Sequence, residues 1–303
     1  MISLRSRILH QTIKRVTGAI DRELTIQEQR TRMDELARRG IRLPKGVSVC
    51  TTMAGGIHSE WVQPSRNEAK RVILYLHGGG YCICSLDTHR GLAARLALAG
   101  ESRLLVPDYR LAPEHPFPAA LEDALAAYRW LLAQGFSPDN IAVGGDSAGG
   151  GLTLATAVSL RESGDPLPAA LFLISPWTDL TFSGESIHTR LQVDPIFGRN
   201  GGPHYVPAYA GNADPANPLI SPLFADLHGL PPTLIHVGND EILLDDSTRL
   251  AQRLKTAGVN AQLKVWEGMW HVFQAFAPFA PEGQVSIEEI GAFVRKNIAD
   301  EHR

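Results

Sequence analysis

The sequence has few cysteines and no long apolar segment. Its 303 residues include only three cysteines, and Cys82 and Cys84 are one residue apart, so in an extended segment their side chains would point to opposite faces. We therefore expect reduced cysteines and a cytoplasmic protein rather than a disulfide framework. No run of about 18 apolar residues occurs, so no membrane-spanning helix is predicted.

An excess of positive charge is also absent. The 29 Lys and Arg residues are outnumbered by 32 Asp and Glu residues, which leaves a formal net charge of −3. Because no basic excess is available to neutralise phosphates, a nucleic-acid partner is not expected. No His and Cys residues are clustered at metal-ligand spacing, so neither a metal ion nor an organic cofactor is predicted. The hydrophobic share of 44% is enough for a large core without cross-links.

Residues 1–45 are predicted to be helical. Apolar residues recur at near-helical spacing in the first twenty positions: Ile8, Leu9, Ile13, Val16 and Ile20. Thr25 and Glu28 have the spacing of a capping box, and Gly40 is suited to end a second helix. Interleaved Arg and Lys residues interrupt the apolar region that a secretory signal requires. The first helix could lie on a membrane surface, but packing on its own protein is the commoner case.

The remainder of the chain alternates between predicted strands and helices, which favours a single α/β domain with a mostly parallel sheet. The predicted strands lie within 47–62, as a hairpin, and at 71–76, 103–106, 141–143, 170–175, 233–237 and 261–266. Residues 181–217 contain aromatics, prolines and glycines without a strand pattern. We therefore predict a core of residues 46–180 and 218–303, covered by residues 1–45 and by a second cap segment, 181–217.

Ser147 stands in a glycine-rich turn between a predicted strand and a helix that begins near Ala148. Small residues on both sides of a serine allow the sharp bend of a nucleophile elbow. The amide of the following residue then points at a developing negative charge, close to the positive end of the helix. A similar turn cradles phosphate in nucleotide-binding folds, so this turn alone leaves both interpretations open.

Other residues supply the groups that a nucleophilic serine needs. A serine requires a base, and the base requires a carboxylate that holds its tautomer. Asp240 and Glu241 follow one predicted strand and His271 follows the last strand, which is the chain order of serine, acid and histidine in α/β hydrolases. Glycines 78–80 follow another buried strand, and their unshielded amides are suited to hold an oxyanion.

Four motifs together resemble the hormone-sensitive-lipase family, in particular its bacterial carboxylesterases. They are His77–Tyr81, Asp108–Glu114, Gly145–Gly150 and His271–Phe273. The resemblance covers roughly the whole chain and implies an α/β-hydrolase fold, a mostly parallel central sheet flanked by helices under a helical cap. It implies hydrolysis of short to medium acyl esters, with Ser147 as nucleophile and His271 as base. The implied oxyanion hole consists of the amides of Gly79, Gly80 and Ala148.

The acid departs from the family pattern. The family usually has Asp-Pro-Leu-x-Asp, and aligning the leucine and the last aspartate gives the stretch from Glu241 to Asp245. Glu241 then occupies the catalytic position. The alternative alignment places Asp240 there and puts Leu244 where the second aspartate belongs. Either carboxylate could reach a histidine, and Glu241 is the preferred interpretation.

Two other functions use the same fold. The same triad can hydrolyse amides or thioesters, and the expected substrate in the main interpretation is a small-molecule ester. Plant gibberellin receptors are similar to this family but lack the catalytic histidine, whereas His271 is present here. The family resemblance also suggests a homodimer, with the predicted strand 261–266 as a free sheet edge for a second copy.

Overall fold

The computed structural model describes residues 2–18, 24–40, 43–65, 70–197 and 205–298. Within these ranges, one sheet contains the strands β1 Val47–Ala54, β2 Ile57–Pro64, β3 Val72–Leu76, β4 Arg103–Pro107, β5 Ile141–Asp146, β6 Ala170–Ile174, β7 Thr233–Gly238 and β8 Ala261–Trp266. The α-helices are α1 Leu4–Gly18, α2 Ile26–Gly40, α3 Leu86–Gly100, α4 Ala119–Ala133, α5 Ala148–Ser163, α6 Ser186–Thr189, α7 Tyr205–Ala210, α8 Leu244–Thr256 and α9 Pro281–Asn297.

The strands are ordered β1-β2-β4-β3-β5-β6-β7-β8 across the sheet. The pairs β1–β2 and β2–β4 are antiparallel, and every other pair is parallel. Strands β3, β5, β6 and β7 are buried along their whole length, as expected for parallel strands that helices cover on both faces. This mostly parallel eight-stranded sheet is the α/β-hydrolase fold, and it confirms the predicted fold class.

The two faces of the sheet contribute to two separate apolar cores. Along β3, Leu74 packs in a cluster with residues of α4, α5 and α8, whereas its neighbour Ile73 packs in a cluster with residues of α3 and α9. This alternation follows from the two-residue period of a strand. Replacing a fully buried leucine such as Leu74 by alanine would cost about 2–5 kcal/mol of stability.

The N-terminal helices are confirmed, but only part of the apolar pattern of α1 is buried. Ile13 packs in a third cluster with Trp270 and its neighbours, whereas Ile8 and Val16 are exposed. Ile20 lies outside the described residues. The capping box of α2 is present: the Thr25 N–H donates to Glu28 Oε2 over 2.8 Å, and the Glu28 N–H donates to Thr25 Oγ1 over 3.3 Å.

Ion pairs hold the loop between β4 and α4 to neighbouring helices. Arg110 pairs with Asp123 of α4, and Glu114 pairs with Arg30 of α2 at 2.7 Å. The loop charges therefore tie the loop to neighbouring helices, because each carboxylate or guanidinium meets its partner across the fold.

The segment that contains Cys82 and Cys84 is a turn and not an extended strand. The Cys82 N–H donates to the carbonyl of Gly79 over 3.0 Å, and Cys84 has a positive φ of 70°. All three cysteines of the chain are unpaired. Among the helices that the structure describes, none has the length and apolar character needed to cross a bilayer.

Residues 181–217 contain no strand in their described part. The short helices α6 and α7 lie within this segment, and residues 198–204 between them are outside the described residues. This part of the chain therefore joins β6 to β7 outside the sheet, as expected.

Candidate active site

Ser147 occupies a strained turn between β5 and α5. Its φ of 53° and ψ of −121° are a conformation that non-glycine residues rarely adopt. Two hydrogen bonds hold the turn: the Ser147 N–H donates to the Ile174 carbonyl, and the Ser147 carbonyl accepts from Trp177, each over 2.9 Å. A Cβ on Gly149 would lie 2.0 Å from the Leu76 carbonyl oxygen. Glycine is therefore required where the elbow passes the neighbouring strand.

A second turn follows β3 and brings glycine amides to the same end of the sheet. Gly79 and Gly80 have φ values of 116° and 60°, and a Cβ on Gly79 would approach the Ile83 carbonyl oxygen to 2.1 Å. Within the described ranges, the N–H groups of Gly79, Gly80 and Ala148 have no protein acceptor. Such unpaired donors at a helix start and a glycine turn can bind an anionic oxygen.

Asp146 links the two turns and was not singled out from the sequence. Its buried carboxylate accepts from the Gly78 N–H over 3.1 Å and from the Tyr75 hydroxyl over 2.6 Å, and His89 Nε2 lies 3.3 Å away. Burial raises the pKa of Asp146, but His89, Tyr75 and the nearby His77 outweigh it, so the pKa lies below its ordinary value. An ionised Asp146 therefore fixes the glycine turn against the elbow.

The structure brings Glu241 and His271 together. His271 Nδ1 lies 3.3 Å from Glu241 Oε1, and both side chains are buried. The other carboxylate oxygen, Oε2, accepts from the Gly238 N–H over 2.9 Å and from the Ser175 hydroxyl over 2.8 Å. Ser175 in turn accepts from the Val272 N–H over 3.1 Å. Glu241 is thus oriented by β7, and Ser175 connects it to the histidine loop.

Asp240 points elsewhere. Its carboxylate lies 3.7 Å from His10 Nε2 of α1 and its side chain is 25% exposed. Burial lowers the pKa of His10, with Asp240 acting in the opposite direction. Asp240 and Glu241, although adjacent in the chain, therefore contact different histidines. This arrangement favours Glu241 as the partner of His271.

A further carboxylate lies near the histidine. Asp194 is fully buried, and its two oxygens accept from three backbone N–H groups, those of Ile196, Phe197 and Ile242, over 2.8–3.1 Å. Burial raises the pKa of Asp194 to about 6, although the charge of His271 opposes this shift. The bond to Ile242 ties residues 181–217 to the residue that follows Glu241.

The neighbouring carboxylates shift the pKa of His271. Burial lowers the pKa of His271, but the hydrogen bond and charge of Glu241, together with Asp194 and Asp146, raise it above its ordinary value of 6.5. The ring of Phe197 packs against the imidazole at a centroid distance of 4.6 Å. A neutral histidine in this setting gains stabilisation when it accepts a proton, which is what a general base requires.

Ser175 and Asp194 were not found by sequence reasoning. Ser175 was included only as the last residue of a predicted strand, and Asp194 lies in a segment without a regular pattern. The position of Ser175 was one available signal. It is a polar residue directly at the end of a buried parallel strand, and sites form at this edge of the sheet. No comparable local signal marks Asp194.

Comparisons with known proteins identify the family of the chain. Residues 73–275 match the family described as alpha/beta hydrolase fold. The chain is 44% identical over 241 residues to an acetyl-hydrolase of Streptomyces hygroscopicus, with 80% of each chain covered. An esterase from the bacterial hormone-sensitive lipase family superposes with a TM-score of 0.93 at 44% identity, covering 99% of this chain and 100% of that chain. A structure of EstE5, soaked with p-nitrophenyl butyrate, superposes with a TM-score of 0.92 at 43% identity, covering 97% of this chain and 99% of that chain.

The sheet, the elbow and the matching family therefore define an α/β hydrolase. Within that class, the chain belongs to the bacterial hormone-sensitive lipase family, and it is a carboxylic ester hydrolase.

Proposed function

We propose that the enzyme is a serine carboxylesterase for short to medium acyl chains, with Ser147, His271 and Glu241 as its catalytic triad. The observation that carries the proposal is the 3.3 Å contact between His271 Nδ1 and Glu241 Oε1. It occurs at the end of the sheet where the strained elbow presents Ser147. A base with an oriented tautomer and a nucleophile on an elbow are the parts of a serine hydrolase.

In the proposed reaction, Ser147 Oγ attacks the ester carbonyl while His271 Nε2 takes the hydroxyl proton. Glu241 keeps the Nδ1 proton in place and stabilises the imidazolium that forms. The C–O bond to the alcohol breaks, His271 returns the proton to the leaving alkoxide, and the acyl group remains on Ser147. Water activated by the same histidine then hydrolyses the acyl-enzyme and regenerates the serine.

The tetrahedral intermediate carries its negative charge on the former carbonyl oxygen. We assign the oxyanion hole to the N–H groups of Gly79, Gly80 and Ala148, which have no acceptor among the described residues. The bond from Gly78 to Asp146 supports this assignment, because it fixes the glycine turn next to the elbow. Loss of one donor from such a site slows catalysis by about 10²- to 10³-fold.

Aromatic side chains near the glycine turn support a limit on the size of the acyl group. A Cβ on Gly80 would lie 2.6 Å from the Tyr205 ring, and Tyr81 stacks on Tyr209 at a centroid distance of 3.6 Å. We propose that residues 181–217 and 1–45 cap the core of 46–180 and 218–303, and that these aromatics limit the pocket. The acetyl-hydrolase relative and the butyrate ester used with EstE5 support short acyl chains.

Amide or thioester hydrolysis by the same residues is the alternative. It differs in the leaving group, because an amine needs protonation by His271 more than an alkoxide or thiolate does. Matched p-nitrophenyl ester, p-nitroanilide and thioester substrates with one acyl group discriminate these activities. We expect the ester to have the highest kcat/KM.

The decisive experiment is hydrolysis of p-nitrophenyl esters from acetyl to palmitoyl by the wild type, Ser147→Ala and Ser48→Ala. Ser48 is an exposed serine on β1 and serves as the matched control. We expect turnover that falls with acyl length, background rates for Ser147→Ala and unchanged rates for Ser48→Ala. Equal rates for the wild type and Ser147→Ala would show that Ser147 is not the nucleophile.

We further propose that β8 pairs with its copy in a homodimer. β8 is the last strand of the sheet and has β7 as its one strand neighbour in the described part of the chain, so its outer edge is available. Light scattering after gel filtration should give twice the 33.0 kDa chain mass. A monomer mass at all concentrations would contradict the proposal.

A further inference from the structure

Helix α1 has two apolar faces, and only one of them contacts the protein. The inner face contains Ile13, which is buried against Trp270. The outer face contains Leu4, Ile8 and Val16, which are 72%, 60% and 57% exposed. At about 100° per residue, Leu4 and Ile13 lie on opposite sides of the helix, and the three exposed residues fall within about 120° of its perimeter. These three residues lie on one i, i+4 line with Thr12 between Ile8 and Val16. None of them belongs to a packed apolar cluster of the described residues.

Basic side chains lie within and beside this outer face. In helical projection Arg15 lies between Leu4 and Ile8, and Arg5 lies between Ile8 and Val16. Arg7 lies about 60° outside Leu4. α1 carries no Asp or Glu. Residues 1–40 hold nine Lys or Arg and five Asp or Glu, a net charge of +4, whereas the whole chain has −3 and the remainder therefore −7. The exposed apolar face lies in the part of the chain that is positively charged.

We propose that the outer face of α1, formed by Leu4, Ile8 and Val16 together with Arg5, Arg7 and Arg15, docks the enzyme on an anionic phospholipid surface. An amphipathic helix with an apolar stripe and basic flanks inserts its apolar side chains at the headgroup boundary, and its guanidinium groups pair with lipid phosphates. This proposal goes beyond ester hydrolysis and does not depend on the assignment of the triad.

The inner contacts of α1 are compatible with docking. The Ser6 hydroxyl donates to Glu282 Oε2 of α9 over 2.5 Å, and His10 packs edge-on against Trp270 at a centroid distance of 5.7 Å. Both contacts lie on the side away from Leu4. Lipid can therefore cover the outer face while α1 stays packed, and the docked helix lies directly against the loop that carries His271.

Charge complementarity selects lipid over a second copy of the chain. Two copies that met through α1 would bring equal sets of arginines together around the apolar stripe, which is unfavourable without neutralisation. An anionic bilayer offers both the apolar layer and the counter-charge. A zwitterionic bilayer offers only the apolar layer, so it should bind more weakly.

The test is co-sedimentation of the 303-residue chain with vesicles. One vesicle contains equal amounts of phosphatidylglycerol and phosphatidylcholine, and the other contains phosphatidylcholine alone. The apolar variant combines Leu4→Ser, Ile8→Ser and Val16→Ser. The control combines Met53→Ser and Val285→Ser, two apolar residues of β1 and α9 that are 57% and 45% exposed.

We expect the wild type and the control to sediment with the anionic vesicles. The apolar variant should lose about 50-fold in partition coefficient, from the transfer energy of three largely exposed side chains. Changing Arg5, Arg7 and Arg15 to glutamine should cost about fivefold for each residue, and concentrated salt should weaken wild-type binding. Hydrolysis of soluble p-nitrophenyl acetate should be retained in all variants, which shows that they fold.

Three outcomes would overturn the proposal. The first is a wild type that remains in the supernatant with both vesicles. The second is an apolar variant that binds as tightly as the control. The third is a wild-type dimer that the apolar variant cannot form, measured by light scattering without lipid, because the face would then belong to a second copy.

Discussion

Replacing Glu241 by glutamine separates the two candidate acids. Glu241 Oε2 accepts from the Gly238 N–H and the Ser175 hydroxyl, while Oε1 faces His271 Nδ1. A glutamine that keeps the bond from Gly238 must put its amide oxygen at the Oε2 position, because an N–H cannot accept from another N–H. Its NH₂ group then faces Nδ1, which has to accept. The ring proton moves to Nε2, the nitrogen that must receive the proton of Ser147.

Glu241→Gln also removes the carboxylate charge, and this lowers activity further than the wrong histidine tautomer alone. Over the 3.3 Å between His271 Nδ1 and Glu241 Oε1, the attraction of a carboxylate for an imidazolium is roughly 5 kcal/mol at an effective dielectric constant of about 20. We therefore expect Glu241→Gln to lower kcat/KM by about 10³- to 10⁴-fold, mostly through kcat. Asp240→Asn is the matched control. It should stay within about fivefold of the wild type, because that carboxylate faces His10 and solvent.

The assay is steady-state hydrolysis of p-nitrophenyl butyrate, with circular dichroism melting of each variant to confirm folding. The reasoning is refuted if Glu241→Gln keeps more than about a tenth of wild-type activity, or if Asp240→Asn is the more damaging change. The second result would make Asp240 the acid and Glu241 a structural carboxylate.

Further predictions concern pH and stability. The acidic limb of kcat/KM should have its midpoint above pH 6.5, because His271 must be neutral to act as a base and its pKa is raised from 6.5; a midpoint below 6.5 would contradict this. Asp194→Asn should move that midpoint to lower pH, since the carboxylate raises the pKa of His271; an unmoved midpoint would exclude the coupling. Gly149→Ala should cost more than about 3 kcal/mol in chemical denaturation, because its Cβ would meet a backbone oxygen at 2.0 Å; a near-neutral result would contradict the steric argument. Tyr75→Phe should cost about 2 kcal/mol, since it leaves a buried carboxylate without one donor, and Tyr128→Phe about 1 kcal/mol, since its acceptor is a neutral carbonyl; equal costs would indicate that the charge is unimportant.

Much of the fold could be predicted because local pattern and tertiary position agree. The central strands are short apolar runs between turns, and such runs are compatible with burial on both faces. Ser147 and His271 could be proposed as site residues because the chain order of the candidate residues and the strand ends coincide. The strand predictions depend on sequence periodicity, which long-range contacts do not alter.

The acid and its surroundings could not be resolved in the same way. Asp240 and Glu241 are neighbours, and only the position of His10 on α1 and of Ser175 after β6 separates their roles. Asp194 reaches the site from a segment without periodicity. Contacts of this kind join residues far apart in the chain, so no local window contains them.

The exposure of Ile8 and Val16 also differs from the expectation that the apolar residues of α1 pack on the protein. Helical spacing shows that a residue lies on a face, but it does not show what covers that face. In α1 the apolar residues divide between two faces, and the structure is needed to distinguish the packed one from the exposed one.

The two turns follow β3 and β5, so the activity of the enzyme indicates whether these strands have paired. These strands are neighbours in register, with Leu76 opposite Gly145, and Asp146 joins the glycine turn to the elbow directly. Neither turn can reach its geometry before the central strands have paired. Recovery of ester hydrolysis during refolding should therefore not precede the pairing of β3 with β5. A substrate that changes colour would show in real time when the glycine turn and the elbow are in place.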